Sequence, residues 1–510
     1  MTDASHSPDS PAPERPTAIH LNAADNVAVA LQPLAAGTKA QGVTLAADIP
    51  LGHKFAVAAI AAGQPVVKYG QIMAAATAAI APGEHVHSHN AAMSDSHSDR
   101  AAQTGQHREP PLRRSFMGYA RDGGRVGTRN FIGIMASVNC SSTVCHAIAR
   151  AAERELLPRF PGIDGFAPIV HDQGCGMAGS GEGFDTLVRV LKGYRDHPNF
   201  GGVLIVGLGC EVNQLTLYKR DDWTRERFGV FNIQEVGGSG SAVRRALELL
   251  EPICEAANRD RRSEQPVSGL VLGMQCGGSD GFSGITANPA LGVASDLLVA
   301  AGGTSILSET PEIFGAEHLL IARSDPATAA KIRGMIDWWC DYAERNGASL
   351  DNNPSPGNKR GGLTTILEKS LGAVAKAGQA PVAGAFAYAE RITTPGLVYM
   401  DSPGYDPVSA TGQVAAGANL IAFTTGRGSC FGAKPAPSIK LASNGELFRR
   451  MPEDMDINCG VVVDDGVSLE EMGQRIYDLL LDTASGRKSR SEEFGYGDHE
   501  FVPWKIGATL

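Results

Sequence analysis

Between residues 17 and 90 the apolar residues come in short runs, such as VAVAL at 27–31, broken by Asp-Asn and Ala-Gly pairs. Gly52, Gly63, Gly70 and Gly83 punctuate the segment at turn-like intervals, and the pattern predicts a small β-rich unit over 17–90. The stretch AAMSDSHSDRAAQTGQHREPPLRR, 91–114, is polar and ends in Pro-Pro and basic residues, which predicts a flexible linker. Residues 1–16 are Pro-rich and acidic and predict a disordered tail.

From Phe116 the pattern changes. Apolar runs of strand length alternate with helical patterns such as SSTVCHAIARAAERELL and GSAVRRALELLEPICEAANRD. Such alternation predicts parallel sheets with crossover helices. The charged run NRDRRSEQPVS, 258–268, predicts a hinge between a first α/β domain, 115–262, and a second, 263–510. The Gly/Pro-rich stretch 351–362 reads as a surface loop.

Composition narrows the function classes. The 510 residues carry a net charge of −10, which disfavours a nucleic-acid or anionic-membrane surface. No run approaches the ~20 apolar residues of a membrane span, and the start lacks the apolar core of a signal peptide. Nine cysteines spread over a long chain suit free thiols in a reducing compartment, so a cytoplasmic location is expected.

Five of those cysteines, Cys140, Cys175, Cys210, Cys276 and Cys430, each follow an apolar run. If the runs are parallel strands, these thiols sit at carboxyl ends, the edge where open α/β sheets bind ligands, and are candidates to line a cleft. No CxxC pair supports zinc or a cluster by spacing, and the alternative is that Cys is a small residue suited to crowded strand ends.

Eight of thirteen histidines lie in the first 107 residues, most densely in GEHVHSHN. In an extended strand His85, His87 and His89 share a face. Imidazoles so placed form a half-site for Fe²⁺, Mn²⁺ or Zn²⁺, with His53 as a further candidate; the alternative is a solvated strand end. Asp25, at a turn before a strand, reads as an Asx cap.

Arg121, Arg125 and Arg129 lie among glycines in GYARDGGRVGTRN, where they could grip a carboxylate or form domain-hinge salt bridges. TTGRGSCFG, with Thr425 and Arg427, followed by Lys434 and Lys440, reads as an anion cradle. HDQGCG and GLGCE place His171 and Glu211 near predicted strand ends. Neither a full dinucleotide fingerprint nor a P-loop is present.

Several longer motifs carry a resemblance. DNVAVAL, GHKFAV, KYG and GEHVHSHN resemble the N-terminal SAF, or β-clip, module of the altronate and galactarate dehydratases. GYARDGGRVGTRNFIGI, VNCSSTV, HDQGCG, GLGCE, GMQCGGSDGFSGITANPALG, SETPEIFGAE and the stretch from DSPGYDPVSATG to KLASN are similar to that family's catalytic body. The resemblance implies a small N-terminal β-clip (SAF) domain joined by a linker to a two-domain α/β body with parallel sheets.

Within the family GEHVHSHN fits the altronate enzymes better. The resemblance therefore implies dehydration of D-altronate to 2-dehydro-3-deoxy-D-gluconate with Fe²⁺ or Mn²⁺, in a homo-oligomer. On that footing His53, His85 and His87 are the expected metal ligands, and His53, Lys54 and His87 the candidates for acid and base. Asn26, Arg129, Thr425, Arg427 and Lys434 are expected to hold substrate. An iron–sulfur cluster on the cysteines has less support. The alternatives are galactarate, a related sulfolactate lyase, or a sugar-acid-binding protein without turnover.

Overall fold

The computed structural model describes residues 16–93, 105–219, 224 and 226–509. The tail expected over 1–16 lies outside these residues except for Pro16, and so does the middle of the linker expected over 91–114. No described helix is long and apolar enough to cross a membrane.

The N-terminal module is built of short antiparallel strands. Val27–Ala30, buried along its whole length, pairs with Ala18–Ile19 and with Lys54–Ala56, and His85–Val86 completes a four-stranded sheet. A second sheet joins Pro65–Lys68, Gln71–Ala76 and Ala91–Ala92. The hairpin between the first two of these turns on Tyr69 (φ 61°) and Gly70 (φ 69°), two left-handed residues in succession as a tight hairpin requires. Asp25 fastens that turn by accepting from the Tyr69 and Gly70 amides at 3.1 and 2.7 Å, the structural role its position predicted.

The body holds two parallel sheets. The first has the order Gly165–Ile169, Phe131–Ala136, Phe200–Gly207, Phe228–Asn232, packed against Asn139–Glu155 and Ser239–Ala257. The second has seven strands in the order Val382–Phe386, Gly396–Met400, Thr304–Leu307, Val271–Cys276, Leu420–Thr425, Ser438–Ala442, Ile457–Asn458. In each sheet the first strand in sequence lies inside, with later strands added on both sides. The loops beyond its carboxyl end therefore diverge and leave a crevice.

Three expectations differ from the structure. The charged run 258–268 is not a free hinge: Arg262–Pro266 pairs antiparallel with Ser115–Ala120 in a three-stranded sheet. Arg262 donates to the carbonyls of Met117, Ala484 and Thr128, so its charge serves the pairing.

The expected surface loop 351–362 contains the helix Pro356–Arg360, closed at its start by a Ser355/Asn358 capping box, and Gly361 and Gly362 are buried. At the end of the expected flexible linker, Gln106 donates its amide to the Gln379 carbonyl, and Arg108 reaches Asp296 and Glu470 at 3.5 and 3.4 Å. These contacts tether 105–108 to the body.

The module does not stand apart from the body. Val27, Ala56, Met73, Ala74 and Val86 share one continuous apolar core with Leu272, Ala287, Leu291 and Leu371. Burial of this shared surface, at roughly 25 cal/mol per Å² of apolar area, holds the module on the second sheet's domain. The histidine-bearing edge is thereby set against that domain.

Candidate active site

His53, at the start of strand Lys54–Ala56, and His85, opening His85–Val86, come together because those strands are paired. His53 Nδ1 lies 3.0 Å from His85 Nε2. His87 follows in a turn that Asn90 closes by accepting from the His87 amide at 3.0 Å. The strand thus ends at Val86, and a turn, rather than strand alternation, brings His87 and His89 beside His85. The His53, His85 and His87 rings lie 5.1–5.6 Å apart, and His89 lies outside them, exposed, its ring tilted 37° to that of His85 at 5.4 Å.

The partners fix the tautomers. A carbonyl only accepts, so His53 donates from Nε2 to the Arg360 carbonyl (3.2 Å) and His87 from Nε2 to the Lys359 carbonyl (3.0 Å). His53 Nδ1 then carries a lone pair facing His85, and His87 Nδ1 accepts from Ser88 Oγ at 3.0 Å. All three rings are held neutral. Burial lowers His53, takes His85 to about 3 with help from its neighbouring rings, and takes His87 to about 4 with help from the Lys54 charge.

Neutral imidazoles whose far N–H is anchored on a carbonyl form the donor arrangement of a metal-binding histidine. His53 and His85 would hold a divalent ion once His85 changes tautomer and the rings turn to aim both lone pairs at one point, since 3.0 Å is shorter than two metal–nitrogen bonds of about 2.0–2.1 Å laid end to end. His87 does not converge with them: both of its nitrogens are engaged elsewhere.

Behind the rings lies a buried ion triad. Glu368 accepts from Lys54 at 2.9 Å and from Lys68 at 2.8 Å, and Lys54 also donates to the Gly362 carbonyl at 2.5 Å. Burial alone would raise Glu368, but the two ammonium groups override it and bring it to about 2. The lysines diverge. Burial, with repulsion from Lys68, brings Lys54 to about 8. Lys68, also buried, is held above its ordinary value by Glu368, and it lies 4.7 Å over the Tyr69 ring.

The facing wall comes from carboxyl-end loops of the seven-stranded sheet. Asp280 accepts from the Ser283 amide, Ser443 Oγ and Asn444 Nδ2 at 2.8–2.9 Å, tying the loop after Val271–Cys276 to that after Ser438–Ala442. The Gly281 amide donates to the Gly361 carbonyl at 2.7 Å. A Cβ on Gly281 or on Gly362 (φ 100°) would overlap the Gly52 carbonyl beside His53, so glycine at both positions permits the module to seat. Arg427 is exposed at this rim, its Cδ 3.3 Å from where a Gly361 Cβ would stand.

A second buried constellation lies along the same edge. Donor atoms of Cys276, Glu309 and Glu312 fall within 4.8 Å of one another. Glu309 is left-handed at φ 73°, a costly conformation for a side chain of this size. Lys369 pairs with Glu312 at 2.6 Å and Lys376 with Glu309 at 3.4 Å. Burial pushes Cys276 up to about 12 and, with Glu312, Asp406 to about 7. Two ammonium groups already neutralise this acid pair, so a divalent ion suits it less than the imidazoles. Glu368 and Lys369, adjacent on helix Ile366–Val374, link the two constellations.

Of the other expected substrate residues, Thr425 lies on the same wall, beside Gly278 and two residues from Arg427, whereas Asn26, Arg129 and Lys434 are engaged within the fold. Asn26 spans the hairpin, donating to the Pro65 carbonyl and accepting from the Val67 amide at 2.9 and 2.8 Å. Arg129 spends every N–H on Glu492 and the carbonyls of Thr128, Thr483 and Arg487, the salt-bridge role its motif left open. Thr425 is buried and caps the Gly428 amide at 3.0 Å, and Lys434 pairs with Asp498 at 2.6 Å.

Of the five strand-end cysteines only Cys276 is buried; Cys140, Cys175, Cys210 and Cys430 are exposed. Sequence reasoning missed Lys68, Asp280, Glu309, Glu312, Glu368, Lys369 and Asp406. A Glu-Lys pair inside the apolar helical run ILEKSL was a signal for two of them.

Comparison with known proteins places this arrangement. Residues 16–94 match the altronate/galactarate dehydratase SAF domain. Residues 118–258 match the D-galactarate dehydratase/altronate hydrolase second domain, and 267–509 the D-galactarate/altronate dehydratase C-terminal domain. The chain is 36% identical over 502 residues to an altronate dehydratase of Bacillus subtilis (strain 168), covering 96% of this chain and 99% of the relative. It is 36% identical over 504 residues to an altronate dehydratase of Escherichia coli (strain K12), with the same coverage. A galactarate dehydratase (L-threo-forming) of Escherichia coli (strain K12) is 37% identical over 501 residues, covering 94% of this chain and 96% of the relative.

Proposed function

The chain belongs to the altronate/galactarate dehydratase family of hydro-lyases, and from that premise we propose that it dehydrates D-altronate to 2-dehydro-3-deoxy-D-gluconate. The observation that carries this reading is the neutral His53–His85 pair, anchored on a body carbonyl beside a lysine at about 8.

The reaction removes the proton on C2 and the hydroxyl on C3, and the resulting enol relaxes to the 2-keto acid with one water released. The C2 proton is weakly acidic, so the charge formed on the carboxylate must be stabilised. Fe²⁺ or Mn²⁺ held by His53 and His85 would supply that Lewis-acid charge. Arg427, exposed at the rim, grips the carboxylate by paired hydrogen bonds.

Lys54 in its neutral form accepts the C2 proton at Nζ, once substrate displaces the Gly362 carbonyl from it. A pKa near 8 matches a base working near neutrality. His87, at about 4, has no extra proton to give and orients the Lys359–Gly362 segment instead. Asp406, at about 7 and beside Gly277 on the same edge, protonates the leaving hydroxyl.

The test is anaerobic turnover of D-altronate and of galactarate, each with added Fe²⁺ and with a chelator. Iron-dependent formation of the 2-keto-3-deoxy product from altronate supports the reading. Turnover of galactarate alone keeps the chemistry and overturns the substrate, an outcome that the 37% identical galactarate enzyme makes worth measuring. Turnover of neither overturns the proposal.

A further inference from the structure

The first parallel sheet has its own crevice. Phe131–Ala136 lies between Gly165–Ile169 and Phe200–Gly207, and the segments leaving the carboxyl ends of these three strands bear Cys140, at a helix start, and Cys175 and Cys210, on loops. The loops are stitched together one residue from each thiol or close to it. The Asn139 amide donates to the Gln173 carbonyl at 3.0 Å, and the Asn213 amide to the Gly174 carbonyl at 3.1 Å. Asn213 Nδ2 donates to the Ser137 carbonyl at 2.8 Å, and Tyr218 holds the Asn213 oxygen at 2.6 Å.

All three thiols are exposed, whereas Cys145 and Cys254 of the same domain are buried in its apolar core. The space-filling role of a small thiol therefore belongs to the latter pair, and it does not explain the three at the crevice. Their surroundings are polar and open. Cys140 lies in the first turn of helix Asn139–Glu155, whose amino end is electropositive. Gln234 Nε2 points at Cys210 Sγ from 3.5 Å. Gly174 and Gly176 flank Cys175 with left-handed backbone (φ 102° and 63°).

The neighbouring ionisable groups are already committed to holding the loops. His171 donates to the Ala136 carbonyl and accepts from the Gln173 amide at 3.0 and 3.2 Å. Glu211 accepts from Ser137 Oγ and from the Leu208 and Gly209 amides at 2.6–3.1 Å. The three cysteine sulfurs remain as ligands at the crevice, one short of the four that a structural zinc site takes. Among the described residues the one set of three donor atoms within 4.8 Å is that of Cys276, Glu309 and Glu312, so these three sulfurs stand wider than the ligands of a single ion.

We propose that Cys140, Cys175 and Cys210 together hold a cubane iron–sulfur cluster, with its fourth iron left open to an oxygen ligand from a small hydroxy acid. Each thiol gives up one proton on binding. The site belongs to a different domain from His53 and His85, so the two iron sites are tested by separate variants.

The test uses the full-length chain, purified without oxygen, incubated with equal amounts of ferrous and ferric iron plus inorganic sulfide, and then desalted. The expected result is about four iron and about four sulfide retained per chain, with a broad visible absorption bleached by dithionite. Cys140→Ser, Cys175→Ser and Cys210→Ser each lose the absorption and the sulfide, while Cys340→Ser and His53→Ala keep both. Iodoacetamide labelling followed by peptide mass spectrometry gives a second measurement that needs no variant: the loaded chain protects these three cysteines and leaves Cys340 reactive. No retained sulfide, a chromophore that survives in all three serine variants, or equal labelling with and without loading overturns the proposal.

Discussion

Lys54 of the N-terminal module places its Nζ 2.9 Å from Oε2 of Glu368 on a helix of the C-terminal domain, and neither side chain reaches solvent. Glu368 also binds Lys68, so one carboxylate holds two buried ammonium groups from the module. Glu368→Gln strands both charges and is expected to cost about 3–5 kcal/mol in denaturant unfolding, the usual result of breaking a buried pair. Lys54→Met, which leaves the Lys68–Glu368 pair intact, is expected to cost less. Equal losses would show that the two lysines are not held as the geometry indicates.

The rate should report Lys54. If its neutral form takes the C2 proton, kcat/KM rises with pH through about 8 as Lys54 deprotonates. Lys54→Gln is expected to abolish turnover while still binding the acid. Residual activity in that variant with the same rising limb would assign the proton transfer elsewhere.

Acid should loosen the fold before it denatures carboxylate pairs. His85 and His87 titrate at about 3 and 4 in the folded chain, and His53 also below the ordinary 6.5. The unfolded chain therefore binds more protons between those values, and the stability present above 6.5 is lost as pH falls toward 4. The thermal midpoint should decline over that window, and more shallowly in His85→Gln. A decline of unchanged slope in His85→Gln would remove His85 as its source.

Metal affinity should separate the histidines. His53→Ala and His85→Ala are expected to abolish Fe²⁺ binding measured anaerobically by calorimetry. His87→Ala, which frees the Lys359 carbonyl but removes no converged donor, is expected to weaken it about 10–100-fold. A total loss in His87→Ala would make it a ligand.

Arg129 offers a contrast between clasp and substrate contact. Its guanidinium grips Glu492 at 2.6 and 2.8 Å with only a few per cent of the arginine side chain exposed. Arg129→Lys cannot reproduce the paired fork and should lower the unfolding midpoint while leaving the KM for altronate unchanged. Arg427→Gln should do the reverse.

Some of this was readable along the chain because it depends on local periodicity. Short runs with glycine turns mark the β-module, and apolar runs alternating with helical patterns mark the parallel body, because side-chain spacing of two or of about three and a half is written in neighbouring residues. The histidine-rich GEHVHSHN was visible as composition, but the turn closed by Asn90 brings His87 beside His85, and the pairing of two strands brings His53 there. The roles of Asn26, Arg129 and Lys434 were not visible, because a polar residue in a Gly-rich loop looks alike whether it grips substrate or another part of the chain.

What the sequence by itself determined is the kind of elements, their order, and the stock of imidazoles, thiols and basic groups near predicted strand ends. The tertiary structure alone decided which of these meet. Glu368 lies 314 residues beyond Lys54, and the Arg360 carbonyl that fixes the His53 tautomer lies 307 beyond it. Such partners are chosen by the packing of one shared apolar core, which no local pattern encodes. Only inside that core, where water cannot screen the charges, does one lysine titrate near 8 while its neighbour stays charged.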